Sequence, residues 1–400
     1  MLQILSTLRR HRTASILIVL EIALTCAIVC NAIFLIRERL ARMDQSSGVA
    51  EDELIQVRLT GIGKQDNASA ITEQDLAALR ALPGVKKATS INMIPFGNSS
   101  WNSSITKVLD ATDGPNCGMY MGKNLIDTMG IRLIAGRDFL PEEYVAADDD
   151  KHDPKQVIVT KALADYFYPE GALGKPLYGA AGREPQIIVG IIDHIARPND
   201  GFGGPEVKDY AILLPATMPF SFGGRYVLRV DPAQTAAILG AVDSTLTKVD
   251  PNRLILDHMT FGQIRRDHFK GDRAMAWLLL GVSIALLVIT ALGVVGLASF
   301  WVQQRTRQIG VRRALGATRG DILRYFQLEN FILATLGIVV GMGMAFGLNE
   351  LLMREYAIPR LPGTFLPIGA ALLWLLGQIA VLGPALRASL IPPAVATRTV

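Results

Sequence analysis

The stretch RTRQIGVRRALGATRGDILR, residues 305–324, lies between two long apolar runs, and its charge decides how the chain is arranged. It has six arginines, a single acid (Asp321), no lysine and no aromatic residue. Three kinds of partner could bind so much positive charge: a nucleic acid, an anionic membrane surface or another protein. The choice between them depends on the rest of the sequence.

The apolar runs beside this stretch are long enough to cross a membrane. Half of the 400 residues are apolar, 19% are charged and the mean hydropathy is +0.31, which is typical of a membrane protein. A helix needs about 20 apolar residues to cross about 30 Å of hydrocarbon. We predict four transmembrane helices, at residues 14–36, 275–302, 326–353 and 366–386.

The first apolar run is predicted to remain in the chain as a membrane anchor. Arg9, Arg10 and Arg12 precede it, as basic residues precede a secretion signal. The apolar region of a signal has only ~7–15 residues and ends at small residues. This run is longer and continues into RERLARMD (residues 37–44), and neither cysteine within it follows a convincing lipobox.

Arginine and lysine in short loops indicate the side of the membrane, because positively charged loops stay in the cytoplasm. Residues 303–325 contain six arginines, whereas the next connection, 354–365, contains only two. We therefore predict that residues 303–325 are cytoplasmic. Alternation then places both ends of the chain, 1–13 and 387–400, in the cytoplasm and places residues 37–273 and 354–365 outside.

Residues 37–273 have the pattern of a folded α+β domain. The predicted strands are ELIQVRLT (53–60), QVIVT (156–160), PQIIVGIIDHI (185–195), AILLPA (211–216) and RYVLRV (225–230). The predicted helices are TEQDLAALRAL (72–82), which would start at a capping box of Thr72 and Asp75, and DPAQTAAILGAVDSTLTKV (231–249). We expect the Gly- and Pro-rich stretch RPNDGFGGPE (197–206) to be an inter-lobe or surface loop.

The domain shows no pattern of catalytic or metal-binding residues, and we predict neither kind of site. Cys117 is its single cysteine, and we expect a buried apolar residue rather than a nucleophile. Asp193 and His194 are adjacent and would point to opposite faces of a strand, so they cannot easily bind one metal. The acidic residues between 142 and 153 lack the spacing and turn glycine of a calcium loop.

The sequence also gives no sign of an ATP site. The nearest candidate, PEGALGKP (169–176), has Pro169 and Pro176 where a phosphate-binding loop needs its first glycine and its Ser or Thr. We predict no cofactor for this chain, and any ATP and Mg²⁺ would be bound by a partner subunit.

Glycines at short spacings in the second and third runs are predicted to serve helix packing, because small residues let helix backbones approach closely in lipid. They are Gly293, Gly296, Gly337, Gly341, Gly343 and Gly347. Glu21 lies in the first run, where a charge is costly and usually faces a partner or a wet interior. Since Glu21 is only about two helical turns into the run, it could also reach the interface.

Residues 303–325 carry helix signals as well as charge. No helix breaker precedes Gly316, so we predict that the second transmembrane helix continues to this glycine. Thr318 and Asp321 form a capping box that would start the next helix.

An apolar stripe runs through the same segment. Val311, Ala314, Leu315 and Thr318 recur at helical spacing. Topology and lipid head groups, at ~1 kcal/mol for each cation near an anionic surface, explain the charge but not the stripe. Nucleic acid fits poorly because a short tethered loop without aromatic residues cannot stack on bases. A protein partner is favoured.

Several motifs, taken together, resemble the FtsX-like permeases, the MacB-type family of ABC transporter membrane subunits. QRTRQIGVRRALGATRGDILRYFQLE (304–329) resembles the signature of the family. Three further stretches resemble the periplasmic core domain of the family: MGIRLIAGRDF (129–139), QVIVTKALADYFYPEGALGKPL (156–177) and IIVGIIDHI (187–195). The closing PALRASLIPPAVATR (384–398) resembles the usual ending of the family, so the resemblance covers nearly the whole chain.

This resemblance implies an inner-membrane permease subunit with four transmembrane helices and a large periplasmic domain between the first two. It implies a homo- or heterodimer with a separate cytoplasmic ABC ATPase, and it allows a periplasmic membrane fusion protein as a further partner. Closure of the ATPase would move the periplasmic domain as a mechanical stroke passed through the first two helices.

The resemblance also assigns a coupling element that sits on the ATPase. It corresponds here to Arg307, Gln308, Ile309, Gly310, Arg312, Arg313, Ala314, Leu315, Gly316 and Ala317. The position of Gln308 is usually Glu in the family, so one contact with the ATPase is missing or replaced. MacB itself carries a fused ATPase domain, so direct equivalence to that exporter is not implied.

Two functions are open at this point. The first is export or periplasmic extrusion of a substrate such as an antimicrobial compound or peptide. The second is signalling, in which movement of the ATPase activates a periplasmic hydrolase or reports a bound ligand. A membrane-anchored enzyme is disfavoured because the sequence shows no set of catalytic residues.

Overall fold

The computed structural model describes residues 12–62, 67–109, 111, 113–149, 153–179, 184–199, 207–356 and 360–391. The chain forms two compact units. The helical unit combines the described residues up to Asp44 with those from Gly271 onward, and the α/β unit extends from Gln45 to Lys270. Parts of the predicted termini and loops, such as 1–11, 200–206, 357–359 and 392–400, lie outside the described residues.

Long apolar helices dominate the helical unit. Numbered in chain order, its helices are α1 (Arg12–Met43), α7 (Lys270–Gln304), α8 (Thr306–Ala314), α9 (Arg319–Tyr356) and α10 (Phe365–Ser389). Each predicted membrane run lies inside α1, α7, α9 or α10, and all four helices are long and apolar enough to cross a membrane.

Helices α1, α9 and α10 share one apolar core. Its members include Ile18, Ile22, Cys26, Leu333, Ile338, Phe365 and Leu373. Helix α7 adds Trp301 to this core and otherwise buries a narrow stripe that includes Ser283, Thr290 and Val294. Trp277 and Leu292 on α7 are 68% and 66% exposed, so this helix keeps an apolar surface that suits lipid or another helix.

The α/β unit consists of two main sheets with short helices. Its helices are α2 (Ala68–Arg80), α3 (Leu125–Met129), α4 (Lys161–Phe167), α5 (Thr235–Val249) and α6 (Phe261–His268). Its strands are β1 (Leu54–Gly61), β2 (Val85–Ser90), β3 (Asn102–Ser104), β4 (Asn116–Met121), β5 (Leu133–Gly136), β6 (Val145–Ala146), β7 (Gln156–Thr160), β8 (Pro176–Leu177), β9 (Gln186–Ile192), β10 (Ala211–Leu214), β11 (Ala216–Thr217), β12 (Gly224–Val230) and β13 (Arg253–Thr260).

The first sheet is antiparallel, with the order β13-β1-β12-β2. Ile55, Val57 and Leu59 alternate along β1 and pack into a core with residues of α2 and α5. Successive side chains of a strand point to opposite faces, so Gln56 and Arg58 belong to the other face of the sheet.

The second sheet is mixed, with the order β3-β4-β10-β7-β9-β5 and with β8 paired to β9. Strand β7 is parallel to β9 and antiparallel to β10. Its core, which includes Val157, Leu163 and Ile212, is separate from that of the first sheet. The predicted mixed α and β composition is confirmed, and the two cores correspond to two lobes.

The predicted strands and helices of this unit are observed, but the capping box predicted for the first helix is wrong. Helix α2 begins at Ala68, so Thr72 lies inside it and donates from Oγ1 to the Ala68 carbonyl. Asp75 is buried in the core and accepts hydrogen bonds from Tyr226 Oη (2.7 Å) and Arg253 Nη2 (3.2 Å). The Asp75 carboxylate therefore binds partners inside the core and does not cap the helix.

Candidate functional site

The arginine-rich segment, residues 303–325, starts at a break between two helices. Helix α7 ends at Gln304 and α8 begins at Thr306, with Arg305 between them at φ −103° and ψ 10°. The prediction of one continuous helix up to Gly316 is therefore wrong at Arg305.

A buried ion pair accompanies this break. Arg305 Nη1 donates to both carboxylate oxygens of Glu329 on α9, at 3.1 and 2.9 Å, and its guanidinium lies 5.4 Å from the Trp301 ring centroid. Arg305 is 7% exposed and Glu329 is 1% exposed. Sequence reasoning missed this pair, because Glu329 stands in an apolar run and its partner is 24 residues away.

The turn after α8 has the geometry that its sequence predicts. Gly316 has φ +99°, and its N–H donates to the carbonyl of Arg313, while the N–H of Ala317 donates to that of Arg312. These two bonds form a Schellman motif, which ends a helix with glycine in the left-handed region.

The next helix is capped as predicted. Thr318 Oγ1 accepts from the N–H of Asp321 at 3.2 Å, and the Asp321 carboxylate accepts from the N–H of Thr318 at 2.9 Å. This reciprocal pair starts α9. Since Thr318 lies beyond the end of α8, it does not extend the apolar stripe of that helix.

Two of the predicted coupling residues, Ile309 and Gly310, are buried. Ile309 belongs to an apolar cluster with Ile322 and Phe326 of α9 and Ala385 of α10. Helix α8 is therefore attached to the end of the bundle through one face, in addition to the ion pair at its start.

The remaining predicted coupling residues are exposed, apart from Arg313 and Ala317, which are half-buried. The exposed ones are Arg307, Gln308, Arg312, Ala314, Leu315 and Gly316. Leu315 is 83% exposed and Val311 is 45% exposed, so part of the predicted apolar stripe lies uncovered on α8.

The neighbouring arginines have partners within the chain. Arg313 Nη1 donates to the carbonyls of Ser389 (3.0 Å), the last residue of α10, and of Ile391 (2.8 Å), which follows the helix. The guanidinium of Arg312 lies 4.9 Å from the Tyr325 ring centroid. Arg313 is thus part of the fold of the segment, which its sequence does not reveal.

The predicted packing glycines differ in their surroundings. A Cβ at Gly337 would lie 2.8 Å from Ile22, and one at Gly341 would lie 2.6 Å from the Ala23 carbonyl oxygen and from Cys26 Cβ. These two glycines therefore let α9 pack closely against α1. Nothing lies within 4 Å of a Cβ at Gly296, Gly343 or Gly347 in the described part of the chain, and a packing role for them stays a prediction.

Gly293 faces the carboxylate of Glu21, whose Oε2 would lie 2.6 Å from a Cβ built there. One turn further along α1, Thr25 Oγ1 and Thr290 Oγ1 of α7 are joined by a buried hydrogen bond of 2.8 Å. Glu21 therefore contacts a second helix, and the threonine pair is a polar link between α1 and α7 that the sequence pattern does not reveal.

A second link joins the same two helices near the C-terminal end of α1 and the N-terminal end of α7. Arg39 Nη1 of α1 donates to Asp272 Oδ1 of α7, and Arg42 Nη1 lies 3.4 Å from the same oxygen. We call this group, Arg39, Arg42 and Asp272, the end clasp. It lies where α1 leads into the α/β unit and where α7 leaves it in the sequence.

Within the part of the α/β unit that the structure describes, the candidate chemical groups weighed from the sequence form no metal-binding cluster. Burial raises the pKa of Cys117 to about 12, so its thiol is protonated near neutral pH and is a poor nucleophile. Asp193 pairs with Arg132, whereas His194 Nε2 is 2.9 Å from the Ser46 carbonyl oxygen. Among the described residues, no three His, Cys, Asp or Glu side chains lie close enough to hold a metal ion.

Comparison with known families gives two matches along the chain. Residues 15–245 match the MacB-like periplasmic core domain, and residues 280–393 match the FtsX-like permease C-terminal family. The second match covers the arginine-rich segment.

Curated relatives include proteins of different length. The macrolide export ATP-binding/permease protein MacB of Psychrobacter arcticus is 26% identical over 73% of this chain, which spans only 42% of that relative. The uncharacterized ABC transporter permease YknZ of Bacillus subtilis is 26% identical over 82% of this chain and 79% of its own length. The uncharacterized permease YvrN of Bacillus subtilis is 23% identical over 97% of this chain and 96% of its own length.

Proposed function

The chain belongs to the ABC transporter permease family that joins a MacB-like periplasmic core domain to an FtsX-like C-terminal region, and we propose that it works with a separate ATPase chain. In this proposal the chain does not hydrolyse ATP itself. YvrN, named a permease, aligns over nearly its full length and so supports this division of labour.

The observation that carries the proposal is the uncovered apolar stripe of α8. Leu315 and Val311 are exposed beside Arg307, Gln308 and Arg312, whereas Ile309 on the other face is buried. A leucine that is 83% exposed at the end of a short helix gains stability when a partner covers it. We propose that this surface binds a groove of the ATPase in the cytoplasm.

The contacts of α8 with the bundle give a path for movement. The Arg305–Glu329 pair and the Ile309 cluster hold α8 against α9 and α10, so displacement of α8 displaces the bundle with it. The threonine pair and the end clasp join α1 to α7, the two helices between which the α/β unit is inserted. We propose that ATP-driven closure moves the α/β unit by this path.

The proposed location follows from the charge of the arginine-rich segment. With residues 303–325 in the cytoplasm, four helices in the inner membrane place the α/β unit in the periplasm. Two permease protomers would form the complex, and a periplasmic membrane fusion protein would extend it. The proposed activity is efflux or periplasmic extrusion of a substrate such as an antimicrobial compound or peptide, in line with the macrolide export named for MacB.

A matched pair of leucine variants tests the ATPase contact. Leu315→Asp is expected to abolish co-purification of the ATPase, because a charge would face the apolar groove. Leu254→Asp, at a leucine that is 52% exposed in the α/β unit, is the control and should retain the ATPase. Both variants should insert into the membrane normally, and retention of the ATPase by Leu315→Asp would refute the assignment.

A further inference from the structure

The α/β unit contains a cleft of about 370 Å³ on the face of the first sheet that carries Gln56 and Arg58. Strands β1 and β13 form its floor. The loop Phe96–Asn98 and helix α6 form its walls. The cleft lies wholly within this unit, and its volume is at the small end of the range for ligand pockets, about 300–1,000 Å³.

The floor of the cleft contains a buried donor without a partner. Gln56 is 3% exposed, and its Nε2 makes no hydrogen bond within the part of the chain that the structure describes. About nine in ten buried polar groups are hydrogen-bonded, because an unmade bond costs free energy. An acceptor atom of a ligand in the cleft would satisfy Gln56.

The sheet face that carries this floor holds two arginines, Arg58 on the floor itself and Arg225 on the adjoining strand β12. Arg58 and Arg225 face each other in the register of β1 and β12, an unfavourable arrangement for like charges. Asp257 binds Arg58 through two hydrogen bonds, one of them 2.8 Å from Arg58 Nε to Oδ1.

Arg225 has no carboxylate within ion-pair distance among the described residues. Its Nη1 donates only a long hydrogen bond, 3.4 Å, to Oδ1 of Asn98, which lines the cleft. Burial lowers the pKa of Arg225, and the charge of Arg58 lowers it further. The charge of Asp257 raises the pKa only in part. A negative group near Asn98 would favour the charged form of Arg225 further.

One wall is apolar and held in place. Phe96 and Ile264 line it, and Met259 of β13 adds an apolar side chain to the floor. Phe96 has φ +60°, a conformation that is strained for an aromatic residue. Its ring is fixed by Phe269 and by the guanidinium of Arg265, with centroid distances of 5.1 and 5.2 Å.

We propose that this cleft binds a small anionic amphipathic molecule. Its carboxylate accepts hydrogen bonds from Gln56 Nε2 and from Arg225, which adjoins the cleft on β12 next to Asn98, and its apolar group lies against Phe96, Met259 and Ile264. Asp267 also lines the cleft, and its negative charge disfavours ligands with several negative charges. The proposal concerns the α/β unit alone and does not depend on the ATPase.

Calorimetric titration of the full chain in detergent tests the site with two probes of the same shape. The anion N-acetylphenylalanine is expected to bind. The neutral N-acetylphenylalaninamide should bind at least about tenfold more weakly, since a hydrogen bond to a charged group contributes that much. Absence of anion binding, or equal binding of both probes, would overturn the proposal.

Variants identify the binding groups. Gln56→Leu and Arg225→Gln should each weaken binding of the anion about tenfold or more. Arg132→Gln is the control, because Arg132 is exposed and paired with Asp193 outside the cleft, and it should bind as the unmodified chain does. Unchanged binding in the folded Arg225→Gln variant would contradict the site even if Gln56→Leu did not fold.

Discussion

Single residues at the end of the helical bundle hold α8 in place, and the proposed transmission of movement through α8 depends on them. The Arg305–Glu329 pair removes two charges from water, and only good geometry and hydrogen bonds offset that cost. Arg305 Nη2 has no hydrogen-bond partner within the described chain, so the pair is not fully satisfied. Such a pair contributes more to a defined position of α8 than to overall stability.

Glu329→Gln is expected to destabilise the chain by about 3–5 kcal/mol, because Arg305 would remain buried without its counter-charge. Thermal unfolding of the detergent-purified chain measures the change. The double variant Arg305→Met with Glu329→Met should recover most of the loss, since both charges are then absent.

An exposed Arg–Glu pair, with both residues on α9, provides the control. Glu350 and Arg354 are 57% and 74% exposed at the side chain, so Glu350→Gln should cost less than about 1 kcal/mol. Equal losses in the Glu329 and Glu350 variants would mean that Arg305 is not held in a buried site.

Helix packing depends on which glycines of α9 face α1. Gly337 and Gly341 are four residues apart, as a small-residue motif requires, and both would place a Cβ against α1. Gly343 and Gly347 have the same spacing but face open space in the described chain. Spacing alone predicts both pairs, and only the observed contacts separate them.

Gly341→Ala should therefore lower stability by about 1–3 kcal/mol, because the added methyl group cannot fit between Ala23 and Cys26 without moving the helices. Gly343→Ala should be neutral or stabilising, since alanine favours a helix. The free energy of unfolding of the two variants, measured under identical detergent conditions, gives the comparison. A larger loss for Gly343→Ala would show that another surface covers it.

Sequence patterns predict those elements whose signals are local. Hydropathy predicts α1, α7, α9 and α10, and the glycine and Thr–Asp signals predict the turn after α8. The break at Arg305 is not predictable in this way, because it accompanies a contact with Glu329. The capping box at Thr72 is wrong because α2 begins four residues earlier, at Ala68, and Asp75 instead binds Arg253, which is 178 residues away.

At the scale of the whole molecule, chain connectivity links the two units. The α/β unit is inserted between α1 and α7, and the end clasp joins residues 233 apart in the sequence. The predicted order of helices and inserted domain could be read from composition. The polar links between α1 and α7 could not, because each depends on distant residues that only folding brings together.

The central claim is that ATP hydrolysis by a partner moves the α/β unit. Pulsed EPR on the complex of this chain with its ATPase tests the claim. A spin label on the Arg132→Cys variant in each protomer gives the distance between the two α/β units. Arg132 is 73% exposed at its side chain, while Cys26, Cys30 and Cys117 are buried and poorly accessible to the label. The proposal predicts that trapping with ATP and vanadate shifts the distance between the two labels. An unchanged distance in a complex that hydrolyses ATP would contradict it.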